Sequence, residues 1–131
     1  MNTWGSPRKI FEAVDRMEMP EQLPTEIAEA LEFWRDRYWN NGEPTFAFEA
    51  LNFTNDDQRA FVEQVLTDDS LSDGDCVKAL LLIILRLRNN LFHGAKWRYR
   101  LQGQFDNFSH ANGVLMRATE LAVPEPIADD L

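Results

Sequence analysis

The feature that most constrains the fold is a run of apolar residues in the middle of the chain. Seven apolar residues follow one another from Ala79 to Leu85, between Lys78 and Arg86. A membrane-spanning helix needs about 20 such residues, so this run is too short to cross a bilayer. A helix that is apolar nearly all round is typical of the centre of a helical bundle. The sequence therefore predicts that residues 77–87 belong to the most buried helix of the protein.

Start and stop signals divide the rest of the chain into further helices. Ser6, Asn55 and Ser72 are typical N-caps, and Gly94 is typical of a helix end. Residues 45–53 (TFAFEALNF) fit a strand or a short helix, and we favour the helix. The predicted helices are residues 7–19, 25–39, a short one within 45–53, 56–67, 73–93 and 104–122. Because almost nothing demands a sheet, we expect an all-α bundle of four to five helices.

The length of 131 residues suits one compact domain. We expect a single helical domain over residues 1–123 and a flexible acidic tail over residues 124–131, which contain two prolines and three acids. The single cysteine, Cys76, cannot form an intrachain disulfide, and the first 20 residues contain no continuous apolar segment typical of a secretory signal. We therefore expect a cytoplasmic protein with no membrane partner.

Polar residues at the end of the most apolar helix are the strongest functional signal. Residues 88–94 read RNNLFHG, and Asn89 and His93 lie four apart, on one face of a helix. Arg88 lies one residue round the helix and can reach the same side through its long side chain. The segment also suits an ordinary helix end, because cations favour the negative end of the helix dipole and glycine often follows it.

This set of side chains is suited to phosphodiester chemistry. The imidazole of His93 can give or take a proton at neutral pH, and the guanidinium of Arg88 can bind a phosphate through two hydrogen bonds. The amide of Asn89 can orient either group. In RNA the 2′-hydroxyl supplies an internal nucleophile, so the protein needs neither a metal nor a covalent nucleophile. With two histidines, one cysteine and no tight spacing of ligands, the sequence predicts no metal site and no cofactor.

The segment RNNLFHG, followed by Lys96, resembles the hallmark of HEPN domains (higher eukaryotes and prokaryotes nucleotide-binding). That hallmark is an Arg, four to six residues beginning with a polar one, and then a His, late in a long helix of an all-α bundle. Arg88 and His93 are separated by four residues, of which Asn89 is the first. Residues 45–53 also resemble the aromatic-Ala-Leu-Asn stretch of an earlier helix in HEPN proteins.

The resemblance implies a specific activity. Many HEPN proteins are metal-independent endoribonucleases of toxin–antitoxin and anti-phage systems, in which two protomers form one composite cleft. By position, Arg88 would hold the scissile phosphate, His93 would perform acid–base work or align the 2′-hydroxyl, and Asn89 would orient them. The implied partners are RNA, a second copy of the chain and an antitoxin or regulatory protein. Other HEPN domains are non-catalytic and bind nucleotides, RNA or proteins, so an adaptor module is the alternative.

The charge of the chain is distributed unevenly. The formal charge is −9, yet residues 76–105 contain six basic residues and no acidic one. In residues 96–100 (KWRYR) bases alternate with aromatic residues, a pattern typical of contacts to nucleic acid and equally of a connector that covers the bundle. We expect RNA to be attracted to this segment only. The predicted RNA contacts are Arg86, Asn90, Lys96, Trp97, Arg98, Tyr99 and Arg100.

Overall fold

The computed structural model describes the backbone of residues 4–93 and 97–122 and the side chains of residues 4–90 and 106–122. Within these ranges the chain forms six helices, one more than the upper end of the predicted four to five, and one hairpin; the predominance of helix confirms the all-α class. The helices are α1 (Pro7–Asp15), α2 (Thr25–Tyr38), α3 (Phe46–Glu49), α4 (Asp56–Thr67), α5 (Asp73–His93) and α6 (Trp97–Leu121), and the strands are β1 (Trp39–Asn40) and β2 (Glu43–Pro44). The predicted tail, residues 124–131, lies outside the described residues.

Helix α5 is the centre of the bundle, as its apolar sequence predicts. It packs against α1, α2, α4 and α6. Val77 and every residue from Ala79 to Leu85 are at most 8% exposed. Each fully buried Leu or Ile contributes about 1.5–3 kcal/mol to stability, so this helix supplies a large share of the hydrophobic free energy. No helix in the described part of the chain is long and apolar enough to span a membrane.

The three predicted N-caps are confirmed. Each side-chain oxygen accepts a hydrogen bond from the backbone N–H three residues later, at 3.3 Å for Ser6, 3.0 Å for Asn55 and 3.1 Å for Ser72. Helix α1, however, ends at Asp15 and not at residue 19. Its last turn tightens, because the backbone N–H groups of Arg16 and Met17 bond to carbonyls only three residues earlier.

The stop signal after α2 forms a β-hairpin that the sequence interpretation missed. Trp39 pairs with Pro44, and the two-residue turn consists of Asn41 and Gly42. These residues have φ angles of 55° and 80°, both in the left-handed region that a type I′ turn requires. Asn-Gly is the strongest short-range sequence signal of a β-hairpin, so the sequence does contain a signal for this turn. The two strands have only two residues each, which is too short to show the alternating pattern that is typical of strands.

The helical interpretation of residues 45–53 is confirmed by α3. Phe46 is 84% exposed and Phe48 is fully buried. Residues two apart lie on the same face of a strand but about 200° apart on a helix, so this difference in exposure follows from helical geometry. Thr45 caps α3, since its hydroxyl oxygen accepts a hydrogen bond from the N–H of Phe48.

Helix α6 begins at Trp97, seven residues earlier than the predicted start at residue 104. The backbone of Trp97, Arg98, Tyr99 and Arg100 is therefore helical. Residues 97–103 (WRYRLQG) contain no proline, and one glycine costs only about 1 kcal/mol in a helix. The glycine at 103 is thus tolerated within one continuous helix of 25 residues.

Helices α2 and α6 are joined by a buried hydrogen bond. The indole Nε1 of Trp34 donates to Oδ1 of Asn107 at 2.9 Å. Trp34 is fully buried, and Asn107 is the one buried polar residue among the described side chains. A buried donor without a partner is costly, so this pair fixes how α6 lies on α2.

We predict that Asn107→Ala lowers the free energy of unfolding by about 2 kcal/mol, because it leaves the buried indole N–H of Trp34 unpaired. Urea denaturation followed by circular dichroism measures this loss. Asn112→Ala is the matched control on the exposed face of α6 and should change stability by less than about 0.5 kcal/mol. Equal stability of the two variants would contradict the role of Asn107.

Candidate active site

The residues of the RNNLFHG segment up to His93 form the last turns of α5. Because α5 is continuous from Asp73 to His93, His93 follows Asn89 by about one turn on the same face of the backbone. Arg88 lies about 100° round the axis from Asn89. The helix register therefore agrees with the predicted grouping of Asn89 and His93, and it places Arg88 about 140° round the axis from His93. The predicted site residues whose side chains lie outside the described ones are His93, Lys96, Trp97, Arg98, Tyr99 and Arg100.

Arg86 and Asn90 bind backbone carbonyls at the end of α3. Nε of Arg86 donates to the carbonyl oxygen of Leu51 at 3.0 Å. Nδ2 of Asn90 donates to the carbonyl oxygens of Ala50 at 3.0 Å and Leu51 at 3.2 Å. Both residues are predicted RNA contacts, and the structure shows that these polar groups hold α5 against α3. Their first role is thus to position the end of α5.

These hydrogen bonds join the two sequence segments that carry the resemblance. Asn90 belongs to RNNLFHG, while Ala50 and Leu51 belong to TFAFEALNF. Asn52, the next residue, has a φ of 56°, so the chain turns away from the helix directly after the bonded carbonyls. The sequence contains both segments about 40 residues apart, and the fold brings them into contact.

Arg88 and Asn89 are half-buried and have no hydrogen-bond or ion-pair partner within the described residues. Other arginines form ion pairs: Nη1 of Arg59 lies 2.7 Å from Oε1 of Glu49, and Nη1 of Arg35 lies 2.9 Å from Oδ1 of Asp69. No acidic residue occurs between Asp75 and Asp106, so the sequence next to Arg88 offers no carboxylate to neutralise it. The guanidinium of Arg88 is therefore available for an anion.

His110 belongs to a different part of the molecule. Its ring stacks on Phe33 with 4.3 Å between centroids. Together with Glu29, Glu32 and Asp36 the two rings line an open cavity of about 480 Å³ between α2 and α6. His110 lies 13 residues after Trp97, which is about 20 Å along α6 from its first residue. It is a packing residue at an acidic cavity, away from the start of α6.

Cys76 is a packing residue. Its side chain is 6% exposed, and burial raises the pKa of its thiol, so the reactive thiolate is disfavoured. Among the residues that the structure describes, no group of three or more His, Cys, Asp or Glu side chains is arranged to hold a metal ion.

Comparisons with protein-family models, with curated proteins and with solved structures gave no match to this chain. The resemblance to HEPN domains therefore stays a prediction from the residues. The observations that bear on it are the all-α fold, the position of the motif on the central helix and the contact between the two segments.

We predict that Asn90→Ala lowers the free energy of unfolding by about 1 kcal/mol, because the carbonyls of Ala50 and Leu51 lose a donor. Arg88→Ala should change stability by less than about 0.5 kcal/mol, since no partner within the described chain is lost. Urea denaturation of both variants measures the difference. If Arg88→Ala destabilises the protein as much as Asn90→Ala does, Arg88 has a structural role and its availability for a ligand is disproved.

Proposed function

We propose that this protein is a metal-independent endoribonuclease of the HEPN type that acts as a homodimer in the cytoplasm, as a toxin or a component of anti-phage defence. The observation that carries the proposal is that the side chains of Arg88 and Asn89 are half-buried and unpaired within the described part of the chain. These residues open the motif, lie at the end of the central helix and have no partner among the described residues. A cation and an amide that serve no structural bond at the end of a well-packed helix are suited to binding a ligand.

The proposed reaction uses the 2′-hydroxyl of RNA as the nucleophile. The 2′-oxygen attacks the adjacent phosphorus, the bond to the 5′-oxygen breaks, and the products are a 2′,3′-cyclic phosphate and a 5′-hydroxyl. His93 takes the proton from the 2′-hydroxyl or gives a proton to the leaving 5′-oxygen, and two copies in a dimer supply both roles. Arg88 stabilises the charge that develops on the phosphate, and Asn89 orients these groups.

The distribution of charge supports RNA as the ligand. Residues 76–105 contain six basic residues and no acidic one. Lys78 is paired with Asp15 of α1 at 2.7 Å, so the charge next to the motif comes from Arg86, Arg88, Lys96, Arg98 and Arg100. In a two-fold dimer these segments can adjoin, which gives a positive cleft on an acidic body. Lys96, Arg98 and Arg100 then contact the RNA backbone, while Trp97 or Tyr99 stacks on bases.

The alternative is a non-catalytic HEPN-like module that binds a partner protein, nucleotide or RNA. The observation that favours a protein partner is the open cavity between α2 and α6, which is lined by three carboxylates. Such a surface is complementary to a basic protein. The same surface also suits an antitoxin or a regulatory subunit of the proposed ribonuclease.

We predict that purified protein cleaves single-stranded RNA in the presence of EDTA and that His93→Ala and Arg88→Ala each reduce the rate by about 100-fold or more. A substrate with a 2′-deoxy sugar at the cleaved position should resist, since it lacks the nucleophile. Product analysis by denaturing gel electrophoresis measures both effects.

Two matched controls separate the site from nonspecific effects. His110→Gln removes the other histidine, and Arg8→Ala removes an arginine that is exposed on α1. Both variants should cleave at the rate of the unaltered protein. Cleavage that survives both His93→Ala and Arg88→Ala, in protein that remains folded by circular dichroism, would overturn the catalytic assignment.

We also predict that RNA affinity depends strongly on salt. If three phosphates are neutralised, affinity falls by about tenfold or more between 50 and 200 mM salt, because bound cations are released from the RNA. Fluorescence anisotropy with an uncleavable 2′-O-methyl oligonucleotide measures the slope. An affinity that is independent of salt would contradict the positive cleft.

A further inference from the structure

The hairpin that follows α2 places an asparagine–glycine pair in an exposed turn. Asn41 and Gly42 are both exposed, as are the flanking residues Asn40 and Glu43. Apart from the chain neighbours of Gly42, no heavy atom in the described part of the protein lies within 4 Å of where a Cβ of this residue would stand. Water therefore reaches this turn freely.

An asparagine that is followed by a glycine can react with its own backbone, which is one reason why asparagine is a thermolabile residue. The glycine nitrogen gives up its proton and attacks Cγ of the asparagine. The bond between Cγ and Nδ2 breaks, and Nδ2 leaves as ammonia with that proton. Water then opens the resulting succinimide ring to aspartate or isoaspartate, so water is the only co-reactant. Glycine favours the attack because it has no Cβ to hinder the approach.

The conformation of the turn leaves the attacking nitrogen available. The hydrogen bond of a β-turn joins the first carbonyl to the fourth N–H, here those of Asn40 and Glu43, so the N–H of Gly42 takes no part in it. The peptide between Asn41 and Gly42 must rotate out of the type I′ geometry before its nitrogen meets Cγ. This rotation disturbs two strands of only two residues each, and so short a hairpin at the surface opens at little cost.

The sequence contains a second asparagine–glycine pair, Asn112–Gly113, within α6. Asn112 is also exposed, so the two pairs differ in backbone conformation and not in the exposure of the asparagine. In a helix the N–H of Gly113 donates to the carbonyl of Ser109, which ties up the attacking nitrogen. A Cβ on Gly113 would lie 3.3 Å from Cβ of Glu26, so this part of α6 packs closely on α2. Reaction at Asn112 therefore requires a packed helix to unwind.

We propose that Asn41 is a site of spontaneous deamidation, at which isoaspartate replaces asparagine as the protein ages. The proposal rests on the exposed turn and is independent of the proposed ribonuclease activity. The product differs from asparagine in two ways. Isoaspartate inserts an additional methylene group into the main chain, and it adds one carboxylate to a chain whose formal charge is already −9.

Isoaspartate at this position disrupts the hairpin. A type I′ turn requires two consecutive residues of normal backbone with positive φ, and the additional methylene group breaks that pattern. The hairpin leads directly into α3, because the N–H and the hydroxyl of Thr45 donate to the carbonyls of Tyr38 and Arg37 at 2.9 and 2.7 Å. The ring of Trp39 meets the ring of Phe48 edge-on, with 5.8 Å between centroids. Loss of the turn therefore loosens the start of α3, the element whose following carbonyls hold the end of α5.

The test compares the two asparagine–glycine pairs within one sample. The folded protein is kept at physiological temperature and mildly alkaline pH, and trypsin then releases the pairs in separate peptides, residues 38–59 and 101–117. Mass spectrometry detects deamidation as a gain of about one mass unit, and electron-transfer fragmentation identifies isoaspartate. We expect Asn41 to react at least about tenfold faster than Asn112 in the folded protein, and both to react at similar rates in urea, where the helix is lost.

Two variants separate the modification from its consequences. Asn41→Gly gives a glycine–glycine pair that suits a type I′ turn and cannot deamidate, so its urea midpoint should stay unchanged as it ages. The midpoint of the unaltered protein should fall as isoaspartate accumulates. Freshly purified Asn41→Asp has the added charge on a normal backbone, and it should keep the midpoint of the unaltered protein because Asp-Gly also suits the turn.

A folded protein in which Asn41 reacts no faster than Asn112 would overturn the proposed site. Isoaspartate at Asn41 without a fall in the urea midpoint would overturn its effect on the hairpin, and so would an equal fall in aged Asn41→Gly. A loss of stability in fresh Asn41→Asp as large as that of the aged protein would assign the effect to the added charge and not to the altered backbone.

Discussion

The rest of the structure depends on the burial of α5. A helix that is apolar nearly all round must be covered on every side, and α1, α2, α4 and α6 provide that cover. The burial of α5 decreases towards its C-terminal end. Leu87 is still buried, with only 8% of its surface exposed, whereas the side chains of Arg88, Asn89 and Asn90 are half-buried. Arg88, Asn89 and Asn90 therefore lie where the central helix leaves the core, so their side chains are supported by the core and still reach solvent.

The end of α5 is then fixed by hydrogen bonds. Asn90 and Arg86 bind two carbonyls beyond α3, and Arg88 and Asn89 lie between them in the sequence. Residues on either side of the candidate catalytic pair are thus held by the fold, while the pair itself has no partner among the described residues. A catalytic group must be held within a fraction of an ångström to be effective. Arg86 and Asn90 fix the backbone of the last turns of α5, while the side chains of Arg88 and Asn89 take part in no hydrogen bond or ion pair among the described residues.

The sequence predicts local features well and contacts between distant segments poorly. The N-caps at Ser6, Asn55 and Ser72 are confirmed because a cap is decided within three residues. The early start of α6 was missed because residues 97–103 contain neither a cap nor a proline. The roles of Arg86 and Asn90 were missed for a different reason. Their acceptors are backbone carbonyls 35 to 40 residues away, and every residue has a carbonyl, so no residue type marks the contact.

The early start of α6 also changes the electrostatics of the candidate site. The C-terminal end of α5 carries a partial negative charge, which by itself repels a phosphate. Helix α6 begins at Trp97, four residues after α5 ends, and four residues span at most about 14 Å. The positive N-terminal end of α6 therefore lies near the negative end of α5 and offsets part of that repulsion. Arg88, which has no ion-pair partner among the described residues, adds a full positive charge at this partly offset end of α5, whereas Lys78 of the same helix is paired with Asp15 of α1 at 2.7 Å.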